Sequence, residues 1–282
     1  MKALLVRIGV DQAYGAWNAP VDAGGRFVYV PIPEKRGTLF HPGLERRYGE
    51  VLPSLESFCD THRRDLIGDL RFPRSLLQHA MHLDPDFDML TYGDDGARRG
   101  ARIREMKQGD LLVFYGGLRP IHDCDHKLIY ALLGLYVVEE ILLATSMPAK
   151  CWHENAHVRK RTRRPTDIVV RAKPKLSGRF ERCIPIGEWR EGAYCVRKDV
   201  LNAWGGLSVR DGYIQRSAVL PRFHKPTRFL KWLDKQAVHF IPGNNCHQIE
   251  PRVPANEHSR FAQTNCVMPG MATGATSIGP QS

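Results

Sequence analysis

Residues 2–10, KALLVRIGV, are apolar apart from Lys2 and Arg7, the pattern of a central strand buried on both faces. RFVYVPI (26–32) predicts a second strand, set off by Gly24-Gly25 and closed by Pro31 and Pro33. The two are expected to pair, with residues 11–25 as an ordered loop between them. The spacing of Leu44, Tyr48, Val51, Leu55 and Phe58 is helical, and Pro53 must begin or kink a turn, so one helix or two short ones fit residues 42–62. KQGDLLVFYGGL (107–118) and LIYALLGLYVV (128–138) predict a hairpin with a long polar tip. DIVVRA (167–172) and ERCIPI (181–186) read as short strands, DVLNAW (199–204) and TRFLKWLDKQAVHF (227–240) as helices. The last of these would carry Phe229, Trp232, Leu233 and Phe240 toward a core. Beyond Ile241-Pro242-Gly243 the periodicity gives way to Asn, Pro, Gly, Ser and Thr, which predicts a disordered tail over 246–282. The pattern as a whole predicts an α+β protein: a single domain over residues 1–245, with a mixed, strand-rich core and peripheral helices.

Composition narrows the partners. With 43% apolar residues among 282, the chain has enough material for a sizeable core. Lys and Arg number 41 against 30 Asp and Glu, a formal charge of +11 that favours nucleic acid as a partner. The N-terminal MKALLVRIGVD lacks the apolar segment of a secretory signal, so a cytoplasmic protein is expected. Glu139 and Glu140 interrupt the most apolar span, Leu128 to Ala144, so no membrane span is expected. The seven cysteines are scattered and contain no CxxC pair, which argues against disulfides and a structural zinc site.

Four stretches carry candidate chemistry. At the exit of the first strand stand Arg7, Asp11, Tyr14, Trp17 and Asn18; an aromatic there could stack on a base while Asp11 and Asn18 read its edge. HLDPDFDMLTYGDDGARRGARI (82–103) sets Asp84, Asp86, Asp88, Asp94 and Asp95 around Tyr92, ahead of Arg98, Arg99 and Arg102. Its spacing misses the glycine and terminal glutamate of a calcium loop, so a polar, turn-rich ligand-contacting loop is expected rather than a metal site. HDCDH (122–126), with His79 and His82 as further donors, could supply zinc ligands, but Cys124 alternates with His122 and His126 along an extended segment and would point away from both. No metal is therefore expected, and no particular cofactor is implied. The stretch 157–182 packs ten Lys or Arg against Asp167 and Glu181, so Arg159, Lys160, Arg161, Arg163, Arg164, Lys173, Lys175 and Arg179 are candidates for holding a phosphate backbone. Serine-hydrolase, Walker and dinucleotide-fold motifs are absent.

LLVRIGVD and RFVYVPIPE, then HLDPDF and LTYGD, then KQGDLLVFYGGL and IYALLGLYVV form a series that resembles the third class of nucleotide-modification-associated domains. That resemblance implies a protein of the phage and bacterial gene clusters that install unusual bases in DNA. A weaker resemblance, carried by Gly109-Asp110 before an apolar strand ending near Phe114 and Tyr115, is to the pseudouridine-synthase-associated barrels, which include modified-base readers. Together these imply a protein that recognises or helps process a modified base, in DNA rather than RNA. Arg7, Tyr14, Trp17 and Asn18 would form one wall of its pocket and Tyr92, Tyr115 and Arg119 another. The alternative is a base-modifying enzyme with Asp11 or Asp94 carrying the proton, and a noncatalytic interaction protein is the third possibility.

Overall fold

The computed structural model describes residues 1–62, 70–97, 99–215, 219–241 and 243–245, all within one compact unit. Its strands in chain order are β1 (Ala3–Arg7), β2 (Pro20–Val21), β3 (Ile32–Pro33), β4 (Met81–His82), β5 (Thr91–Asp95) and β6 (Leu111–Pro120), followed by β7 (Ile129–Leu143), β8 (Asp167–Ala172), β9 (Gly178–Pro185), β10 (Gly187–Arg190), β11 (Ala193–Val196) and β12 (Phe240–Ile241). The α-helices are short: α1 (Leu52–Thr61), α2 (Arg74–Leu77), α3 (Ala101–Arg104), α4 (Ala156–Arg159), α5 (Lys198–Trp204) and α6 (Pro226–Asp234). No helix among the described residues is long and apolar enough to cross a membrane.

The main sheet runs β1-β6-β7-β8-β5, with β9 attached beside β7, β12 beside β9, and β2 along β6. The β1–β6 pair is parallel, Leu4 opposite Leu112 and Arg7 opposite Tyr115, while β7 lies antiparallel to β6, β8 and β9. It is a mixed sheet, and the α+β reading holds. Among the described residues it does not close into a barrel, and the sheet order lends the weaker resemblance no support.

The apolar runs are continuous because both faces of the sheet are covered. Leu4, Val6, Leu112, Phe114 and Tyr136 enter one core with Tyr29, Phe87 and Tyr92. Their neighbours in sequence, Leu5, Val113, Tyr115 and Leu135, enter a second core under α5 and α6, with Trp204, Phe229 and Leu233. The period of two along each strand thus sorts one run into two cores.

The expected hairpin is β6 and β7, and the 42–62 segment is two short helices, a 3-10 turn at Tyr48–Glu50 and then α1, with Pro53 in its first turn. Two expectations are corrected. RFVYVPI does not pair with β1 as a strand. A single bond joins Val10 N–H to the Val30 carbonyl, and only Ile32–Pro33 is strand, paired with β4. Pro31 and Pro33 supply no N–H for a ladder, and both backbone groups of Tyr29 are taken by the Asn245 side chain at 2.8 Å. The last helix ends at Asp234 rather than 240, since Ala237 lies in the left-handed region at φ 47°; Phe240 sits in β12 opposite Phe180. The tail expected over 246–282 and Arg98 lie outside the described residues.

Candidate functional site

Strand ends and turns around β1, β4 and β5 enclose a cleft of about 680 Å³, within the range of small-ligand sites. Its first wall is the exit of β1. Asp11 is buried, and its Oδ1 accepts the Ala13 and Tyr14 amides at 2.7 and 2.8 Å, closing an Asx turn. Its Oδ2 pairs with Arg7 Nη2 at 2.8 Å. The turn holds Tyr14 at the cleft with 61% of its surface exposed, an uncommitted aromatic face.

The second wall is β5 and the turn behind it. The Tyr92 hydroxyl donates to Asp94 Oδ2 at 3.0 Å, Arg99 Nε stands 3.9 Å from the same oxygen, and Arg164 Nη1 donates to Asp95 Oδ2 at 2.8 Å. The hydrogen bond from Thr166 is the leading reason the Asp95 carboxyl is held below its usual range, with the Ala97 amide and Arg164 adding to it. Over the top run residues 34–39, with Lys35, Arg36 and Leu39 exposed.

The depth of the cleft is built by β4 and α4. His82 and Asp84 follow at a spacing of two along an extended segment, and Asn155, the N-cap of α4, delivers His157 beside them. Asp84 accepts the Gly93 amide at 2.8 and 3.0 Å and the Asn155 side-chain amide at 3.1 Å. Nε2 of His82 and Nε2 of His157 both face Asp84 Oδ2, at 3.7 and 3.8 Å. Burial pushes the Asp84 carboxyl above its usual range, against the opposing pull of the two imidazoles and the Gly93 and Asn155 bonds. Behind the imidazoles stand two more carboxylates: His82 Nδ1 lies 2.8 Å from Glu34 Oε2 and His157 Nδ1 3.4 Å from Asp167 Oδ1. Burial by itself would raise Glu34, but the His82 bond and charge, with Lys160 and the Lys35 amide, bring it down to about 2. Asp167 is lowered in the same way, burial being outweighed by His157, the Arg164 amide and Lys160. One residue type is dictated by this packing: a Cβ on Gly93 would stand 2.4 Å from His157 Cδ2 and 2.7 Å from Asn155 Oδ1.

The family model for nucleotide modification associated domain 3 matches residues 2–208, well over half of the chain. The chain belongs to that family. All residues that line the cleft fall inside the matched span of the nucleotide modification associated domain, and α6 and β12 lie beyond it. No curated protein matches the chain, and no solved structure does.

Within this domain the cleft gathers Arg7, Asp11, Tyr14, His82, Asp84, Tyr92, Asp94, Asp95, Arg99, Lys160 and Arg164 from the residues the sequence singled out. Others are placed elsewhere. Trp17 is buried edge-on against Phe72, with ring centroids 5.3 Å apart, and Asn18 is buried with its amide donating to the Gly117 carbonyl at 2.7 Å. Tyr115 lies on the opposite face of the sheet, its hydroxyl donating to the Ile214 carbonyl at 2.8 Å. Arg119 sits near the end of β6, outside the cleft, opposite Pro20.

The basic stretch divides in the same manner. Arg159 is buried and ion-paired with Asp86, and Arg179 is buried over the Phe27 ring at 3.9 Å, so neither offers its charge to an outside phosphate. Arg163 covers Trp152 at 4.5 Å and meets His41. Arg161 and Arg164 are exposed, and bonds from Arg161 N–H to the Leu39 carbonyl and from His41 N–H to the Arg159 carbonyl bring this segment alongside the cleft rim. Lys173 and Lys175, in the β8–β9 turn, do not line the cleft.

Sequence reasoning missed Glu34, His157 and Asp167, noted Arg99 only as a neighbour of the Asp cluster, and weighed His82 only with HDCDH, which lies elsewhere in the structure and does not line the cleft. The His82-x-Asp84 pair was the available signal, since a spacing of two on an extended segment puts both side chains on one face. Nothing in the spacing to His157 announces the third member.

Proposed function

We propose that the protein binds one nucleotide unit of a DNA modification system in this cleft, recognising or helping to process a modified base. The observation that carries the reading is the layering of charge. Exposed Lys35, Arg36 and Arg164 stand at the rim, whereas the carboxylates of Glu34, Asp84 and Asp167 lie deep, each side chain no more than 8% exposed. A phosphate is attracted to such a rim and repelled from such a depth, while the N–H edges of a base or the hydroxyls of a sugar find acceptors inside. A nucleotide therefore enters base first, with Tyr14 as the stacking face. Membership in the nucleotide modification family supports the same ligand class.

A second reading, a base-modifying enzyme, draws on Asp84. A buried carboxyl with a raised pKa, flanked by two imidazoles and opening on a cleft, is the arrangement that moves protons at neutral pH. It is better placed for this than Asp11, which is locked by Arg7 and its own turn. The test has two arms. Single-stranded DNA carrying modified or ordinary bases is titrated by fluorescence anisotropy against wild type and Tyr14→Ala, and nucleosides from cells with and without the protein are compared by mass spectrometry. Tyr14→Ala is expected to weaken binding by about 1–3 kcal/mol with unchanged melting temperature. Equal affinity in the variant, with identical nucleoside profiles, would refute the reading.

A further inference from the structure

We propose that His82, Asp84 and His157 bind a first-row divalent transition metal through three protein ligands, leaving the remaining coordination positions open to the cleft. Each residue offers one ligand atom, and these atoms lie within 4.8 Å of one another, the one such convergence of His, Cys, Asp or Glu found among the described residues. The two Nε2 atoms stand 3.7 and 3.8 Å from Asp84 Oδ2, too far to be its hydrogen-bond donors. With metal bonds of about 2.1 Å, ligand atoms sit roughly 3–3.5 Å apart, so each group closes on an ion by moving less than about 1 Å.

Independent support comes from the far side of each ring. The carboxylates of Glu34 and Asp167 face the two Nδ1 atoms, at 2.8 and 3.4 Å. The Glu34 carboxylate, hydrogen-bonded at His82 Nδ1, keeps the proton there and turns the Nε2 lone pair toward the centre, the usual backing of a metal-bound histidine, while Asp167 stands near His157 Nδ1 without a hydrogen bond. Asp84 is oriented likewise by the Gly93 and Asn155 donors. Charge gives the same answer. Three carboxyl groups, from Glu34, Asp84 and Asp167, converge on this buried site with Lys160 3.6 Å from Glu34, a concentration of acidic groups that a cation among them would offset. Two nitrogens and one oxygen suit zinc, iron or cobalt rather than magnesium or calcium, which favour all-oxygen sets. Three protein ligands opening on a cleft is the pattern of a catalytic rather than a structural centre. The inference does not depend on the nucleotide reading, since the ligand set stands whatever occupies the rest of the cleft.

The test uses the full chain, stripped with a chelator and dialysed, then titrated with Zn²⁺ by calorimetry and with Co²⁺ by visible absorption. One ion per chain is expected, together with Co²⁺ bands of a nitrogen and oxygen site and a rise in melting temperature on adding Zn²⁺. His157→Gln should weaken binding by more than about 100-fold, and Glu34→Gln, which alters only the backing of His82, by about 10–100-fold. Circular dichroism checks that both variants are folded, and the second keeps the test decisive should the first unfold. A wild-type chain that takes up no stoichiometric ion overturns the proposal, as does binding that survives undiminished in both variants and so belongs to other donors such as the cysteines. If the two imidazoles are protonated partners of the carboxylates instead, the first of these results follows.

Discussion

Arg159 offers the sharpest separation between a structural and a nucleic-acid role. Its side chain is 3% exposed and pairs with an Asp86 side chain that is 0% exposed. Among the described residues Asp86 otherwise receives only neutral donors, Asn244 Nδ2 at 2.9 Å and the Asp88 and Met89 amides at 3.1 and 3.4 Å, while Arg159 also donates to the His153 carbonyl. Arg159→Met keeps most of the aliphatic volume and removes the charge, stranding a buried carboxylate. Breaking a buried pair from one side costs about 3–5 kcal/mol. At roughly 2–4 °C per kcal/mol for a domain of this size, the melting temperature should fall by about 6–20 °C. Adding Asp86→Asn removes the stranded charge and should return more than about 1 kcal/mol, because paired residues do not act additively. Urea unfolding followed by circular dichroism measures all three proteins. A loss under about 1 kcal/mol in Arg159→Met would refute the argument, as would unchanged stability accompanied by weaker DNA binding and a salt slope reduced by about one, the signature of a lost phosphate contact.

Trp17→Ala should cost about 3–5 kcal/mol of stability, since the ring is 7% exposed and packed on Phe72; a stable variant with impaired base binding would return Trp17 to the cleft. Burial pushes the Cys183 thiol up to about 12, so maleimide at pH 8 should leave it unlabelled until denaturant is added, and labelling of the native protein at Cys183, read by peptide mass spectrometry, would contradict that burial.

The central sheet was legible because its signal is local. The strand at residues 2–10, the 107–118 and 128–138 hairpin and the 167–172 strand announce themselves by runs of apolar residues, and burial on both faces is what makes those runs unbroken. Asp11 and Tyr14 were legible for a similar reason: a polar turn directly after such a strand is delivered to its edge. Where hydrogen bonding is decided at long range, sequence pattern misleads. RFVYVPI has strand composition, yet its pairing was settled by Pro31 and Pro33 and by Asn245, more than two hundred residues away. Net charge likewise marks a basic stretch without telling which cations face inward; Asp86 and the Phe27 ring claim Arg159 and Arg179, leaving Arg161 and Arg164 exposed. Apart from the His82-x-Asp84 pair, the cluster at the bottom of the cleft is tertiary. Glu34, His82, Asp84, His157 and Asp167 come from segments with no fixed spacing, and they meet because β4, β5 and the N-cap of α4 are packed around Asp84. Sequence alone determined the long strands of the central sheet, and the tertiary structure alone decided which charged groups face one another, because a side chain's electrostatic partners depend on distances that the order of residues along the chain does not contain.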